Sequence, residues 1–130
     1  MEGPLTAAVA RLREALMIPG CIVEEMENGS FSVLRTLEAD AARVDVWNEG
    51  EWVRVRCRIQ PVDDVSDQGL LDLLRFNQRA QRIRVAVDDD GFVVVRGDYP
   101  SFIWDETDFR SVVLSALSCF GSVENFSSEK

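Results

Sequence analysis

The side chains of this chain that could do chemistry are carboxylates, arginines and three cysteines; there is no histidine. That removes the commonest general base, the commonest metal ligand and every histidine-based triad. Cys21, Cys57 and Cys119 are dispersed, odd in number and without a CxxC spacing. They fit neither a disulfide framework nor a structural zinc site, and they point to a thiol-reducing cytoplasm. No GxGxxG follows a strand pattern and no P-loop occurs, so no phosphate cradle is written here. Asp88-Asp89-Asp90-Gly91 gathers oxygen ligands of the kind calcium or magnesium takes. An EF-hand loop, however, needs alternating ligands, glycine at its sixth position, a bidentate acid at its twelfth and flanking helices. Here Gly91 is the fourth residue of the run and alternating apolar segments flank it, so the segment reads as a turn. Asp63-Asp64 and the Asp105/Glu106/Asp108 group read as helix-start acids favoured by the macrodipole. The expectation is no catalytic residue, no cofactor and no metal.

Arg54, Arg56 and Arg58 form a basic stripe at strand spacing in a chain whose net charge is −9. Phosphate backbones need a concentrated positive field, so the balance is against nucleic acid. The stripe reads instead as a solvated strand face with cross-strand carboxylates such as Asp45. Residues 1–20 carry no secretory pattern, and no apolar run approaches the ~18 residues of a membrane span. A chain of 130 residues with 46% hydrophobic and 28% charged residues is expected to make one domain, 1–130, in the cytoplasm.

The elements that must position these residues follow from periodicity. Leu5, Val9, Leu12 and Leu16 make the stripe of a first helix, with Pro4 in its first turn and Pro19-Gly20 stopping it. Cys21 to Glu27 and Phe31 to Leu37 are strands around Asn28-Gly29, read as a tight hairpin turn. Ala42 to Trp47 and Trp52 to Ile59 form a second pair. A two-residue Glu49-Gly50 turn would set Val46 opposite Val53, Val44 opposite Val55 and Trp47 opposite Trp52. Ser66 or Asp67 caps a helix whose Leu70, Leu71, Leu73, Leu74 and Phe76 make an apolar side too wide for a surface helix. From Arg82 to Tyr99, Ile83, Val85 and Val87 alternate up to the acidic turn, and Val93 and Val95 resume the alternation beyond it. Asp105 caps a last helix striped by Phe109, Val112, Val113, Ala116, Leu117 and Phe120; Gly121 ends it, leaving 122–130 as a polar, frayed tail. The order is α-β-β-β(-β)-α-β-β-α, an α+β fold with an antiparallel sheet of five to six strands and three helices, one sheet face covered and one left over.

On the leftover face the alternation places Trp47, Trp52, Ala86, Phe92 and Val94. Apolar side chains grouped on a nominally solvated face mark interfaces, so these five are the candidate partner or dimer surface. Tyr99, Phe102 and Trp104 read as cover for the core.

The run Leu-Leu-Asp-Leu-Leu-Arg-Phe-Asn from Leu70 to Asn77, followed by Arg-Ile-Arg-Val-Ala-Val-Asp-Asp-Asp-Gly-Phe-Val-Val-Val-Arg from Arg82 to Arg96, resembles the YbjN-type bacterial proteins. The order of elements from Leu5 to Phe126 is similar to that of type III secretion chaperones. This resemblance implies a small acidic protein, a homodimer, that holds an extended polypeptide; YbjN-like members carry the label of sensory-transduction regulators. It brings no functional residue with it, and Arg54/Arg56/Arg58 is not part of the pattern. The function expected is a non-enzymatic, homodimeric, chaperone-like or regulatory domain binding a client polypeptide or partner protein. The competing expectation is a small-molecule-sensing or enzymatic domain whose site forms only at a dimer interface, where carboxylates meet across a two-fold axis.

Overall fold

The computed structural model describes residues 4–36, 41–79 and 82–124. Helix α1 spans Pro4–Ala15, α2 Asp67–Arg79 and α3 Glu106–Glu124. The strands are β1 (Cys21–Glu25), β2 (Phe31–Thr36), β3 (Ala41–Glu49), β4 (Trp52–Pro61), β5 (Ile83–Val87) and β6 (Phe92–Pro100). They form one six-stranded sheet in the order β1-β2-β3-β4-β6-β5, with every neighbouring pair antiparallel. This is the α+β architecture that the alternation of valines predicts.

The inner face is a continuous apolar sheet. Val33, Val44, Val46, Val53, Val55, Val93 and Val95 are all buried, joined by Phe31, Ile83 and Tyr99. Fully burying side chains of this class stabilises by about 1.5–3 kcal/mol each. Helix α3 lies against β3, β4, β5 and β6, and α1 packs on α3. The stripe Phe109, Val112, Val113, Ala116 and Leu117 is buried in that contact, as are Leu12, Ala15 and Leu16 of α1. The Asp105 carboxylate accepts from the Asp108 N–H at 2.9 Å, and the Ser66 hydroxyl accepts from the Gly69 N–H at 3.0 Å, so both helix starts are capped as expected. Asn77, near the end of α2, grips edge strand β5 in both directions. Its Nδ2 donates to the Val85 carbonyl at 2.9 Å, and its Oδ1 accepts from the Val85 N–H at 2.7 Å. That pair occupies backbone groups which an edge strand otherwise leaves open.

Three local expectations are corrected: the end of β1, the β3–β4 register and the end of α3. The β1–β2 and β5–β6 connections are tight hairpin turns, and Gly91 takes the left-handed conformation that the turn reading gives it. In each, a backbone pair (Met26/Ser30, Asp88/Phe92) closes a three-residue loop whose last residue, Gly29 or Gly91, has φ of +85° or +83°. Strand β1 therefore ends at Glu25 and not at Glu27, in the type I turn plus glycine-bulge geometry, while β5 ends at Val87 as the alternation reads. The β3–β4 register is shifted by two residues: Val46 faces Val55, Trp47 faces Arg54, and Glu49 faces Trp52. Gly50 is the only residue of the Gly50-Glu51 turn with positive φ, the pattern of a type II′ turn, so the turn sits one residue later than Glu49-Gly50. A shift of two keeps every side chain on its face. Finally, α3 runs through Gly121 to Glu124, because glycine costs a helix about 1 kcal/mol but stops it only when it adopts the left-handed cap. Leu37 and residues 125–130 of the expected tail lie outside the described residues, as do the side chains of Cys119 and Phe120.

Candidate partner-binding surface

Among the described residues no helix lies across the outer face, although Val9 of α1 borders it near Trp47, so its chemistry is read along the rungs of the sheet. One rung joins Ser32, Asp45, Arg56, Arg96 and Arg84 across five strands. Beside it run Trp47–Arg54–Asp98 and Glu49–Trp52–Pro100 on one side, and Arg58–Val94–Ala86 on the other. Past the irregularity between Arg58 and Gln60, Pro61 pairs with Phe92.

The arginines lie over the aromatic rings. The guanidinium carbons of Arg54, Arg56 and Arg58 stand 5.5, 5.5 and 4.4 Å from the ring centroids of Trp52, Trp47 and Phe92. Each such contact is worth about 0.5–1 kcal/mol at an exposed site. The same guanidiniums are tethered by acids: Arg54 to Asp98 at 2.9 Å and Glu49 at 3.3 Å, Arg58 to Asp88 at 2.7 Å and Asp90 at 3.1 Å. Arg56 reaches Asp45 only at 3.8 Å, and Asp45 also holds Arg43 at 3.2 Å. Pairs this exposed add about 0–1 kcal/mol to stability. The backbone N–H of Phe92 chiefly, and the Arg58 guanidinium after it, hold the Asp88 carboxyl below the usual carboxylate range. The Asp88 hydrogen bond in turn raises Arg58 above its ordinary value. The acidic run that could have been a cation loop thus spends Asp88 on its own turn and, with Asp90, on Arg58.

Of the five residues singled out from the sequence, Trp52 is 40% exposed, Trp47, Ala86 and Phe92 are half-buried, and Val94 is 1% exposed. They form two clusters: Trp47 and Trp52 at one end of the face, Phe92, Val94 and Ala86 at the other, with the arginine rung between them. Trp47 and Trp52 sit on neighbouring rungs instead of facing each other, which follows from the shifted register. A concavity of about 520 Å³ opens beside Trp47, where the β1–β2 loop stops short and β3 runs on; Asn28, Ser30, Arg43 and Arg56 also line it.

Other apolar surface was less legible. Leu71 and Leu74 of α2 stand 49% and 63% exposed, and Val87 of edge strand β5 is 53% exposed. The unusual width of the α2 stripe was the signal for them. On the inner side, Met17, Ile18, Pro19, Cys21, Val23 and Phe31 line a second concavity of about 630 Å³, next to the other edge strand, β1. Ile22, on the opposite side of β1, is exposed too; three consecutive apolar residues in an edge strand were the available sign. Tyr99 is buried against Trp104 and Phe109 as core cover, whereas Phe102, expected with them, is 72% exposed. Among the described residues no cluster of three or more histidine, cysteine or carboxylate ligands could hold a metal ion, and no helix is long and apolar enough to cross a membrane.

No family model and no curated protein matches the sequence. Solved structures do share its fold. A chain from the complex of the Yersinia pestis type III secretion chaperone SycH with a stable fragment of YscM2 is 20% identical, with a TM-score of 0.62 over 88% of this chain and 98% of that one. A chain of the ExsC–ExsE complex is 11% identical, with a TM-score of 0.61 over 99% of this chain and 100% of that one. A chain of the heterodimeric ExoU–SpcU complex from the type III secretion system of Pseudomonas aeruginosa is 13% identical, with a TM-score of 0.59 over 75% and 83%. What is shared at these identities is the fold. Three helices with a six-stranded antiparallel sheet is the fold that this chain has in common with these structures.

Proposed function

We propose that this chain is a non-enzymatic protein-binding domain that holds a partner polypeptide, acting as a homodimer in a chaperone-like or regulatory role in the cytoplasm. The observation that carries this reading is the sheet with one face free of helices, on which Trp47, Trp52 and Phe92 lie among arginines. The shared fold supports it, because the solved neighbours come from two-protein complexes, one of them named as a type III secretion chaperone with a fragment of a second protein. Membership of the YbjN-like family is part of the proposal: the Leu70–Arg96 pattern on which it rests coincides with α2, β5 and the first half of β6.

The physics of capture is apolar burial plus main-chain pairing. Among the described residues strand β1 has β2 on one side and no strand on the other, and a concavity lined by Met17, Ile18, Val23 and Phe31 together with the Arg13–Glu25 ion pair adjoins it, so an extended segment can add there as a further strand. On the outer face a few aromatics would supply most of the affinity. The exposed Leu71, Leu74 and Val87 supply the apolar area for a second copy or a partner. Trp47→Ala with Trp52→Ala is expected to weaken partner capture or dimerisation, read by co-purification and by sedimentation at matched concentration. Unchanged capture and an unchanged assembly state would remove the tryptophan face from the proposal.

A further inference from the structure

The outer face carries a charge arrangement that a free sheet disfavours. Arg56, Arg96 and Arg84 are direct cross-strand neighbours on β4, β6 and β5. Like charges directly opposite one another destabilise a sheet. The neighbouring acids are already engaged: Asp98 by Arg54, Asp88 and Asp90 by Arg58, Asp108 by Arg82 at 2.7 Å, and Asp45 at closest range by Arg43. Among the described residues Arg96 makes no ion pair, and the Arg56 Nε is buried without a hydrogen-bond partner. Arg82, Arg84, Arg96 and Asp98 line a concavity of about 320 Å³. Lys130 is the only lysine, so every positive group on this face is a planar guanidinium, the fork that pairs bidentately with a carboxylate.

We propose that the Arg56–Arg96–Arg84 row docks an acidic stretch of the partner polypeptide, with carboxylates at alternate positions of an extended segment; this rests on the partner-binding reading above. Neighbouring strands are about 4.8 Å apart, so the row spans about 10 Å, and same-side residues of an extended peptide repeat every ~6.8 Å. Two carboxylates at i and i+2 therefore fall within reach of three guanidiniums. The flanking acids Asp45, Glu49, Asp98 and Asp88 break up the positive field on either side. A short acidic segment can fit between them, whereas a continuous phosphate backbone would run over them.

The test is fluorescence anisotropy with the full chain and a short labelled peptide of alternating Glu and Thr, against the same peptide with Gln for Glu. The acidic peptide is expected to bind a few-fold to about tenfold tighter, since two exposed pairs of up to about 1 kcal/mol each bracket the ~1.4 kcal/mol that a factor of ten requires, and its affinity should fall with salt. The double variant Arg84→Gln, Arg96→Gln should bring it to the level of the Gln peptide. Arg84→Lys, Arg96→Lys should restore part of the difference. Equal binding of both peptides, lost in Trp47→Ala, would overturn the acidic assignment and leave the partner-binding face standing. An acidic peptide that binds the Arg84/Arg96 double Gln variant as tightly as the parent, or that does not bind the parent at all, would overturn it too. So would an oligonucleotide of equal charge that binds more tightly than the peptide through these arginines.

Discussion

Replacing Gly97 with alanine should destabilise the protein, although glycine-to-alanine changes in a strand usually do the reverse. Gly97 is on the inner face of β6, between Val55 and Ile83, and its φ is not left-handed, so alanine meets no backbone objection. On that ground alone the change would stabilise by about 0.4–1 kcal/mol through the unfolded chain. A Cβ there would stand 2.8 Å from Cγ1 of Val112 on α3, and 3.5 Å from both the Arg82 carbonyl oxygen and Cγ2 of Ile83. Val112 is buried and β-branched, so it has no spare rotamer to yield into. Overpacking of this kind costs about 1–3 kcal/mol. The net expectation is a loss of about 1–2 kcal/mol, read as a lower urea midpoint at unchanged slope by tryptophan fluorescence. Val112→Ala alone should cost about 2–3 kcal/mol in lost burial and residual cavity. In the double variant the clash is gone and the new methyl fills part of the space, so the combined loss should fall short of the sum by about 1 kcal/mol. Additivity within about 0.5 kcal/mol, or a neutral Gly97→Ala, would mean that α3 does not seat on β6 at this point. The seating of α3 decides which sheet face remains open, so the functional reading would fail with it.

Two further outcomes follow from single contacts. Asn77→Ala leaves the Val85 N–H and carbonyl without their partner and should cost about 1–3 kcal/mol; hydrogen exchange at the Val85 amide should accelerate, and protection equal to the parent would show that another group closes this edge. Burial pushes the hydroxyl of Tyr99, the only tyrosine, above its ordinary value, and the same hydroxyl accepts from the Asp105 N–H at 3.1 Å. The native state keeps that proton at pH values where the unfolded chain has lost it, so stability should fall as pH rises past about 10. Tyr99→Phe should remove that part of the pH dependence at a cost of about 1 kcal/mol. A native near-ultraviolet titration with a midpoint near 10 would contradict the burial.

The valine rows of β3, β4, β5 and β6 were legible because a period of two admits only one assignment of faces, and the caps Ser66 and Asp105 because their side chains satisfy nearby N–H groups. Turn length was not legible: Asn28-Gly29 and Asp90-Gly91 suit a two-residue turn and a three-residue loop alike, and the choice is made by backbone pairs such as Met26 with Ser30. In the β3–β4 hairpin it was the turn's position, one residue later at unchanged length, that moved Trp47 away from Trp52. The face of each tryptophan could be read from parity, whereas its partner required the register. Val94 had the right parity and yet is sealed, because Arg58 on one side and Ala86 on the other close over it, a tertiary fact with no local signal. The three adjacent arginines were also out of reach, since Arg56, Arg84 and Arg96 become neighbours only once β6 is placed between β4 and β5.

That placement joins the two features of the outer face in one mechanism. A bare tryptophan face would invite unspecific association, and an arginine capped by an acid would bind nothing. Here the guanidiniums of Arg54, Arg56 and Arg58 shield the rings at a cost of only about 0.5–1 kcal/mol each to displace. A partner carboxylate that draws Arg56 toward the Arg96 side uncovers Trp47 for an apolar neighbour in the same segment. On the proposed reading the acid alone gives a measurable gain, and an apolar anchor on the same side of the segment adds to it by covering the ring that Arg56 leaves. Acidic residues at i and i+2 with an apolar residue on that same side, and not hydrophobicity alone, are therefore the property by which a partner of this face should be sought.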